Sequence, residues 1–178
     1  AVASIDNRRN EGDGTVTRSA RRQRWVRVGA RCAAFAVALS SAVVAQAAFD
    51  DAIRYAQKRV AFGKPIVEHQ AQQIRLAEMA TKIRAARLLT LDAARKKDSG
   101  ERSDMEAGMA KLFASEAAFE IATESMRIHG GVGYTTELPV ERYYRDARVT
   151  EIYEGTSEIQ RLVIARELLK TQPAYSRG

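Results

Sequence analysis

Glu151-Ile152-Tyr153-Glu154-Gly155-Thr156-Ser157-Glu158-Ile159-Gln160-Arg161 carries a polar, glycine-containing turn straight into an amphipathic run. Ser157 to Gln160 has the S-x-x-Q form of a capping box, and Ile159, Leu162, Val163, Arg166 and Leu169 follow at helical spacing. A helix is therefore expected from Ser157. Glu154 then lies just before its first turn, where the helix presents free N–H groups and the positive end of its dipole. Gly155 lets a flat ligand approach the backbone, and Thr156 and Ser157 offer hydroxyls and N–H donors to a polar or anionic group. Two readings of Glu154 follow. It either complements the dipole, worth about 0.3–1 kcal/mol, or serves as a carboxylate base; spacing alone favours the first.

Upstream, the same 3.6-residue period recurs in three longer stretches, so four sizeable helices are expected near 32–60, 67–97, 103–129 and 157–170. Gly63 and Pro65 stop the first, by a left-handed residue and a missing N–H donor. In the second, Ile74, Ala77, Thr81, Leu88 and Leu91 form the expected core stripe, with Arg75, Lys82, Arg84 and Arg95 on the wet face. Lys96 to Glu101 reads as a turn. Ser103 to Glu106 is a second capping-box match, and Met105, Met109, Leu112, Phe113 and Ala117 share one side of the third helix. Met126 and Ile128 read as core, and Gly130-Gly131 ends that helix. A short salt-linked surface helix is expected near 138–147. No strand is large enough to seed a sheet, so the fold class is all-α: an antiparallel, up-down four-helix bundle.

The chain has 178 residues, of which 46% are hydrophobic, enough for a sizeable core. Its net charge of +7 invites a nucleic-acid reading, but residues 1–31 hold eight arginines against Asp6, Glu11 and Asp13, a balance of +5. The remaining 147 residues therefore carry +2 and are nearly balanced. Residues 1–31 lack a sustained apolar period and read as a disordered basic extension, residues 32–172 as the bundle, and 173–178 as a frayed tail. Cys32 to Val44 followed by Ala45-Gln46-Ala47 superficially matches a secretory signal with its cleavage site. It lies far from the start, is short for a membrane span and runs on in helical register, so it is read as core helix. One cysteine excludes an internal disulfide, and with His69 and His129 as the only histidines no metal centre is expected.

Several stretches carry a family resemblance. Ile152 to Arg161, I-Y-E-G-T-S-E-I-Q-R, and Ala45 to Gly63, A-Q-A-A-F-D-D-A-I-R-Y-A-Q-K-R-V-A-F-G, resemble the carboxyl-terminal helical domain of acyl-CoA dehydrogenases. The resemblance implies α,β-dehydrogenation of an acyl-CoA thioester to trans-2-enoyl-CoA, with Glu154 as the base for the α-proton and FAD as hydride acceptor. It implies FAD contacts at Arg59 and Phe62 in the R-x-x-F-G run, at Gln70, and at Gly130 and Gly131, where Arg127 stands for the family's glutamine. Thr156 and Ser157 join the cofactor-binding set, and Gly155 the substrate site. Further implications are an electron-transferring flavoprotein as partner, a homotetramer, and a cytoplasmic location, or the mitochondrial matrix in a eukaryote. An arginine that lies near CoA in the family would fall at Ala34; Arg31, three residues earlier, is the nearest candidate. The resemblance fades before about residue 40. A helical and a β domain expected ahead of it have no counterpart here, so the chain is expected to be a fragment without activity of its own.

Rival readings are an acyl-CoA oxidase and a non-catalytic helical module derived from the family. A third is a polyanion or membrane-surface binder acting through Arg18, Arg21, Arg22, Arg24, Arg27 and the stacking residue Trp25.

Overall fold

The computed structural model describes the backbone of residues 13–171 and the side chains of residues 34–170. In chain order it contains α1 (Asp13–Lys58), a two-residue hairpin of β1 (Val60–Ala61) and β2 (Lys64–Pro65), and a 3-10 turn (Ile66–Glu68). Then follow α2 (Gln70–Asp98), α3 (Asp104–His129), a single turn α4 (Gly131–Tyr134), α5 (Val140–Thr150) and α6 (Ser157–Thr171). The four long helices form the expected antiparallel bundle, and α3 is its centre, touching α1, α2, α5 and α6.

Small side chains set the geometry. On α1, Ala38, Ser41, Ala45, Ala48, Ala52 and Ala56 recur at intervals of three and four and are buried. They meet Ala110, Ala114, Ala117, Ala118 and Ala122 of α3, so the two backbones approach closely along their length. Ser125 Oγ, buried on α3, donates to the Ala48 carbonyl at 2.8 Å and fixes the register of that pair. Met79, Ile83, Ile121, Ile128 and Ile66 fill the wider space at one end. The stretch Ala34–Lys58 is long and apolar enough to cross a membrane by length and composition, yet its alanine face is covered by the bundle.

The structure corrects several expectations. One helix runs unbroken from Asp13, so no boundary falls at residue 31. The arginines there are strong helix formers, and a polar helix needs no apolar period to continue from a packed one. Residues 1–12 and the tail at 173–178 lie outside the described residues. On α2 the core stripe is Met79, Ile83, Ala86, Thr90 and Ala93, while Ile74, Ala77, Thr81, Leu88 and Leu91 face outward. The helix carries two apolar stripes, and only packing distinguishes them. Arg75 and Lys82 of its expected wet face reach across to Glu124 and Glu120 of α3. On α3 the buried face consists of small residues with Lys111, Ile121, Ile128 and His129, while Met105, Met109 and Leu112 are half-buried and Phe113 is exposed. Its capping box is also absent: α3 starts where expected, but Ser103 is buried and makes no side-chain cap bond.

α5 links the bundle to the Glu154 turn. Val140, Ala147 and Thr150 face inward, and the Tyr143 hydroxyl donates to Asp51 Oδ2 at 2.9 Å. Burial, followed by that carboxylate, pushes the Tyr143 hydroxyl above its ordinary pKa. Arg148 lies over the Phe119 ring, 5.1 Å from its centroid. These contacts anchor the first turn of α5 on α1 and its last turn on α3, and so fix where Glu151 starts.

Candidate active site

Between α5 and α6 the chain reverses in six residues. Glu154 and Gly155 adopt left-handed conformations in succession, with φ of +54° and +93°. A non-glycine residue there is disfavoured by about 1–2 kcal/mol, so the surroundings must hold it. Gln160 does this. It is buried in the first turn of α6, and its Nε2 donates to the carbonyls of both Glu154 and Gly155 at 3.3 Å. The Ser157 N–H donates to the Glu151 carbonyl at 3.1 Å and closes the loop. The turn requires Gly155, because a Cβ there would lie 2.6 Å from Gln160 Nε2.

Gln160 is thus not the partner of a Ser157 capping box. The cap moves back one residue: Thr156 Oγ1 accepts from the Ile159 N–H at 3.4 Å, while Ser157 is already helical and its buried hydroxyl has no partner. The physical reason is competition, since the Gln160 amide is committed to the two carbonyls of the turn.

The Glu154 side chain is exposed and borders a groove of about 440 Å³. The walls are Gly155, Ile159, Gln160 and Val163 on one side, and Ala107, Gly108 and Ala34 on the other. Arg102, Arg166 and Lys170 lie at its far end together with Asp104. The three cations gather around the buried carboxylate of Glu167, and Arg102 also pairs with Asp104 at 2.8 Å, which leaves this end with an excess of one positive charge. The hydrogen bond from Lys170, with the Arg102 charge, holds the Glu167 carboxyl below the usual carboxylate range. From Ser157 to Lys170 the helix rises about 20 Å. The groove therefore places a carboxylate, an apolar middle and a cationic end in sequence. Ala34, where the resemblance would put an arginine, contributes only a methyl group to this wall; the side chain of Arg31 lies outside the described residues.

Away from this groove, a second set of residues gathers around the hairpin. Arg59 leaves α1 just after its last residue and is exposed. Phe62 sits at the hairpin tip with φ of +53° and 96% of its surface exposed, edge-on to the His69 ring at 6.1 Å. The tip is held from behind, because His69 Nε2 donates to the Ala61 carbonyl at 3.1 Å. Gln70 opens α2 beside it, also exposed. Arg59 lines a groove of about 460 Å³ with Tyr55, His129 and Pro139. His129 packs and hydrogen-bonds: it stacks on Tyr55 at 4.4 Å, and its Nδ1 donates to the Ser125 carbonyl at 2.7 Å.

Gly130 follows directly, with φ of +64°, and ends α3 as expected. Gly130 and Arg127 line a third groove of about 810 Å³ with Met126, Tyr134 and Tyr144. No atom lies within 4 Å of where a Cβ would stand on Gly130 or Gly131, so this backbone is open to a ligand. The Arg127 guanidinium is paired with Glu124 on the same helix. The sequence reading missed Gln160 as the clamp of the turn, and Arg102 and Lys170 in the groove. S-x-x-Q was the available signal for Gln160, but two hydrogen-bonding schemes share that spacing.

Residues 25–169 match the family model of the acyl-CoA dehydrogenase carboxyl-terminal domain. The mitochondrial short-chain specific acyl-CoA dehydrogenase of Bos taurus is 58% identical over 128 residues, which are 72% of this chain and 31% of that protein. Subunit CarC of the caffeyl-CoA reductase-Etf complex of Acetobacterium woodii is 51% identical over 134 residues, 75% of this chain and 35% of that protein. The structure of butyryl-CoA dehydrogenase from Megasphaera elsdenii superposes with a TM-score of 0.77 at 42% identity, covering 79% of this chain and 37% of that one. The chain spans about a third of the length of these relatives. With the helical order, the Tyr-Glu-Gly-Thr turn and the family model in agreement over most of its length, the chain belongs to the acyl-CoA dehydrogenase family and corresponds to its carboxyl-terminal helical domain.

Proposed function

We propose that this chain is the catalytic carboxyl-terminal part of an FAD-dependent enzyme that removes the α and β hydrogens of an acyl-CoA thioester. The observation that carries this reading is the Glu154 turn: a strained, clamped carboxylate at one end of a groove whose other end is cationic. Glu154 takes the α-proton, and in the reverse sense returns it. The left-handed backbone and the Gln160 clamp fix the carboxylate's origin, so that little reorganisation is needed at the moment of transfer. Exposed in this chain, Glu154 would lose its contact with water when thioester and the rest of the enzyme close over it. The apolar middle of the groove suits the aliphatic part of a ligand, and Arg102, Arg166 and Lys170 suit the phosphates of CoA.

FAD fits two sets of residues: at the hairpin an exposed ring on a tip held from behind, with a guanidinium on the same loop, and in a separate groove a glycine backbone with open space where Cβ atoms would stand. When bound it supplies the acceptor for the β-hydrogen as hydride. Arg59 and the Gly130-Gly131 backbone would hold the diphosphate, with Phe62, Gln70 and Arg127 around the dinucleotide and Thr156 and Ser157 on the base side. The outward stripe of Ile74, Leu88 and Leu91 on α2 supports assembly of copies, in keeping with a homotetramer. An electron-transferring flavoprotein is the proposed redox partner, supported by the complex named for the Acetobacterium woodii relative.

The test is Glu154→Gln in a full-length enzyme carrying this region. Turnover and exchange of the substrate α-proton with solvent deuterium are expected to fall nearly to zero while FAD stays bound, because charge is lost with little change of shape. Turnover close to wild type would place the base elsewhere.

A further inference from the structure

Among the described residues, Lys111 is the largest side chain with no exposed surface, and its Nζ has no hydrogen-bond partner. A cation in that position costs several kcal/mol relative to an apolar residue of the same length, so its presence calls for a role other than stability. Its surroundings indicate which. Gly108 lies one turn earlier on the same face of α3, and a Cβ there would meet Ile164 at 3.2 Å and the Gln160 amide oxygen at 3.4 Å. That face of α3 is therefore applied to the first turns of α6, where the clamp of the Glu154 turn is built. The carboxylates whose charge acts on Lys111 are Glu151, Glu116 and Glu158, and two of these bracket the turn. Burial outweighs them and pushes the amine below its ordinary pKa. The same short segment contains a second buried side-chain atom without a hydrogen-bond partner, Ser157 Oγ (Gln72 Oε1 and Glu106 Oε2 are the others among the described residues), and it follows the carboxyl end of α5, whose dipole favours a cation.

We propose that Lys111 is a positioning residue for Glu154: its ammonium, beneath the Glu151–Ser157 segment, holds the left-handed turn in the one conformation that directs the carboxylate into the groove. Its consequence for catalysis rests on Glu154 being the base; the structural statement does not. Glu151 and Glu116 are themselves paired with Arg148 and Arg161, so with Glu158 they act on the Lys111 ammonium as charge at a distance, and that charge favours holding Glu151 and Glu158, at the two ends of the turn, near one another.

The test is residue-resolved amide hydrogen exchange on the 178-residue chain, which requires neither flavin nor substrate and so stands apart from the assignment of the base. In Lys111→Met the hydrogen-bonded amides of Ile152, Tyr153 and Ser157 are expected to exchange at least about tenfold faster, while α1–α3 core amides and the thermal midpoint stay the same or gain protection. Unchanged exchange at those three amides, or an acceleration spread evenly over the bundle with a lower midpoint, overturns the proposal. Should the Met variant fail to fold, Lys111→Gln keeps a polar head without charge, and a turn as protected there as in wild type overturns it equally.

Discussion

Gly155→Ala tests the construction of the turn directly. The substitution acts through two terms. An alanine at φ of +93° is strained by about 1–2 kcal/mol. Its methyl group would also lie 2.6 Å from Gln160 Nε2, closer than the atoms can stand, so the amide must swing away. The amide is the end of a flexible side chain and yields before the backbone does, with loss of its bonds to the Glu154 and Gly155 carbonyls. Each is worth about 0.5–1.5 kcal/mol, which gives a total near 2–5 kcal/mol for the variant. The two terms separate in a double-mutant cycle with Gln160→Ala. Once the amide is gone, only the backbone strain remains, and Gly155→Ala is expected to cost about 1–2 kcal/mol. Urea denaturation of the four proteins, read as midpoints at constant slope, measures the cycle. An equal cost for Gly155→Ala in both backgrounds, within about 0.5 kcal/mol, would show that Gln160 does not clamp the turn.

Two further substitutions probe the remaining contacts. At Gly133 an added Cβ would stand 2.7 Å from His129 Cβ and 3.1 Å from the Met126 carbonyl, with no flexible atom to move; Gly133→Ala is expected to destabilise by about 1–3 kcal/mol in the same assay, and a gain in stability would contradict the tight α3–α4 junction. Arg59→Ala, in a full-length enzyme, is expected to weaken FAD retention about 10- to 150-fold, the equivalent of one charge-assisted hydrogen bond. Thermal stability titrated with FAD measures this, and a loss that ignores FAD concentration would reduce Arg59 to a helix-end cation.

The helices were legible because their ends are chemical. Gly130 takes a positive φ where α3 stops, and the Lys96–Glu101 turn falls where α2 gives way to α3. Sequence could not decide which side of α2 faces inward. Met79, Ile83, Ala86, Thr90 and Ala93 follow the same alternation of three and four as the outer Ile74, Ala77, Thr81, Leu88 and Leu91, so periodicity alone is symmetrical between them. The choice is made by the alanines of α1 and α3, which accept one stripe and leave the other exposed. Glu154 was found through its motif, whereas its left-handed backbone was not. Nothing local requires it; Gln160, six residues on, does. Lys111 was invisible for the opposite reason, since a lysine among alanines in a helical run reads as a wet-face residue.

These particulars bear on how much of the site depends on the start of the chain. Glu154 and Gly155 are held by Gln160, the loop is closed by Ser157 and Glu151, and the segment stands on α5 and on the Gly108–Lys111 face of α3. Every one of these residues follows position 100. Ala34 contributes a methyl group to the wall of the groove, so the residue at that position bears on what the groove can hold along its side. The cations at the far end come from α6 and from the residues leading into α3. Among the described residues, the Glu154 turn and the cations at the far end of the groove are therefore held by contacts from the carboxyl-terminal half, and α1 enters the groove only through the Ala34 wall.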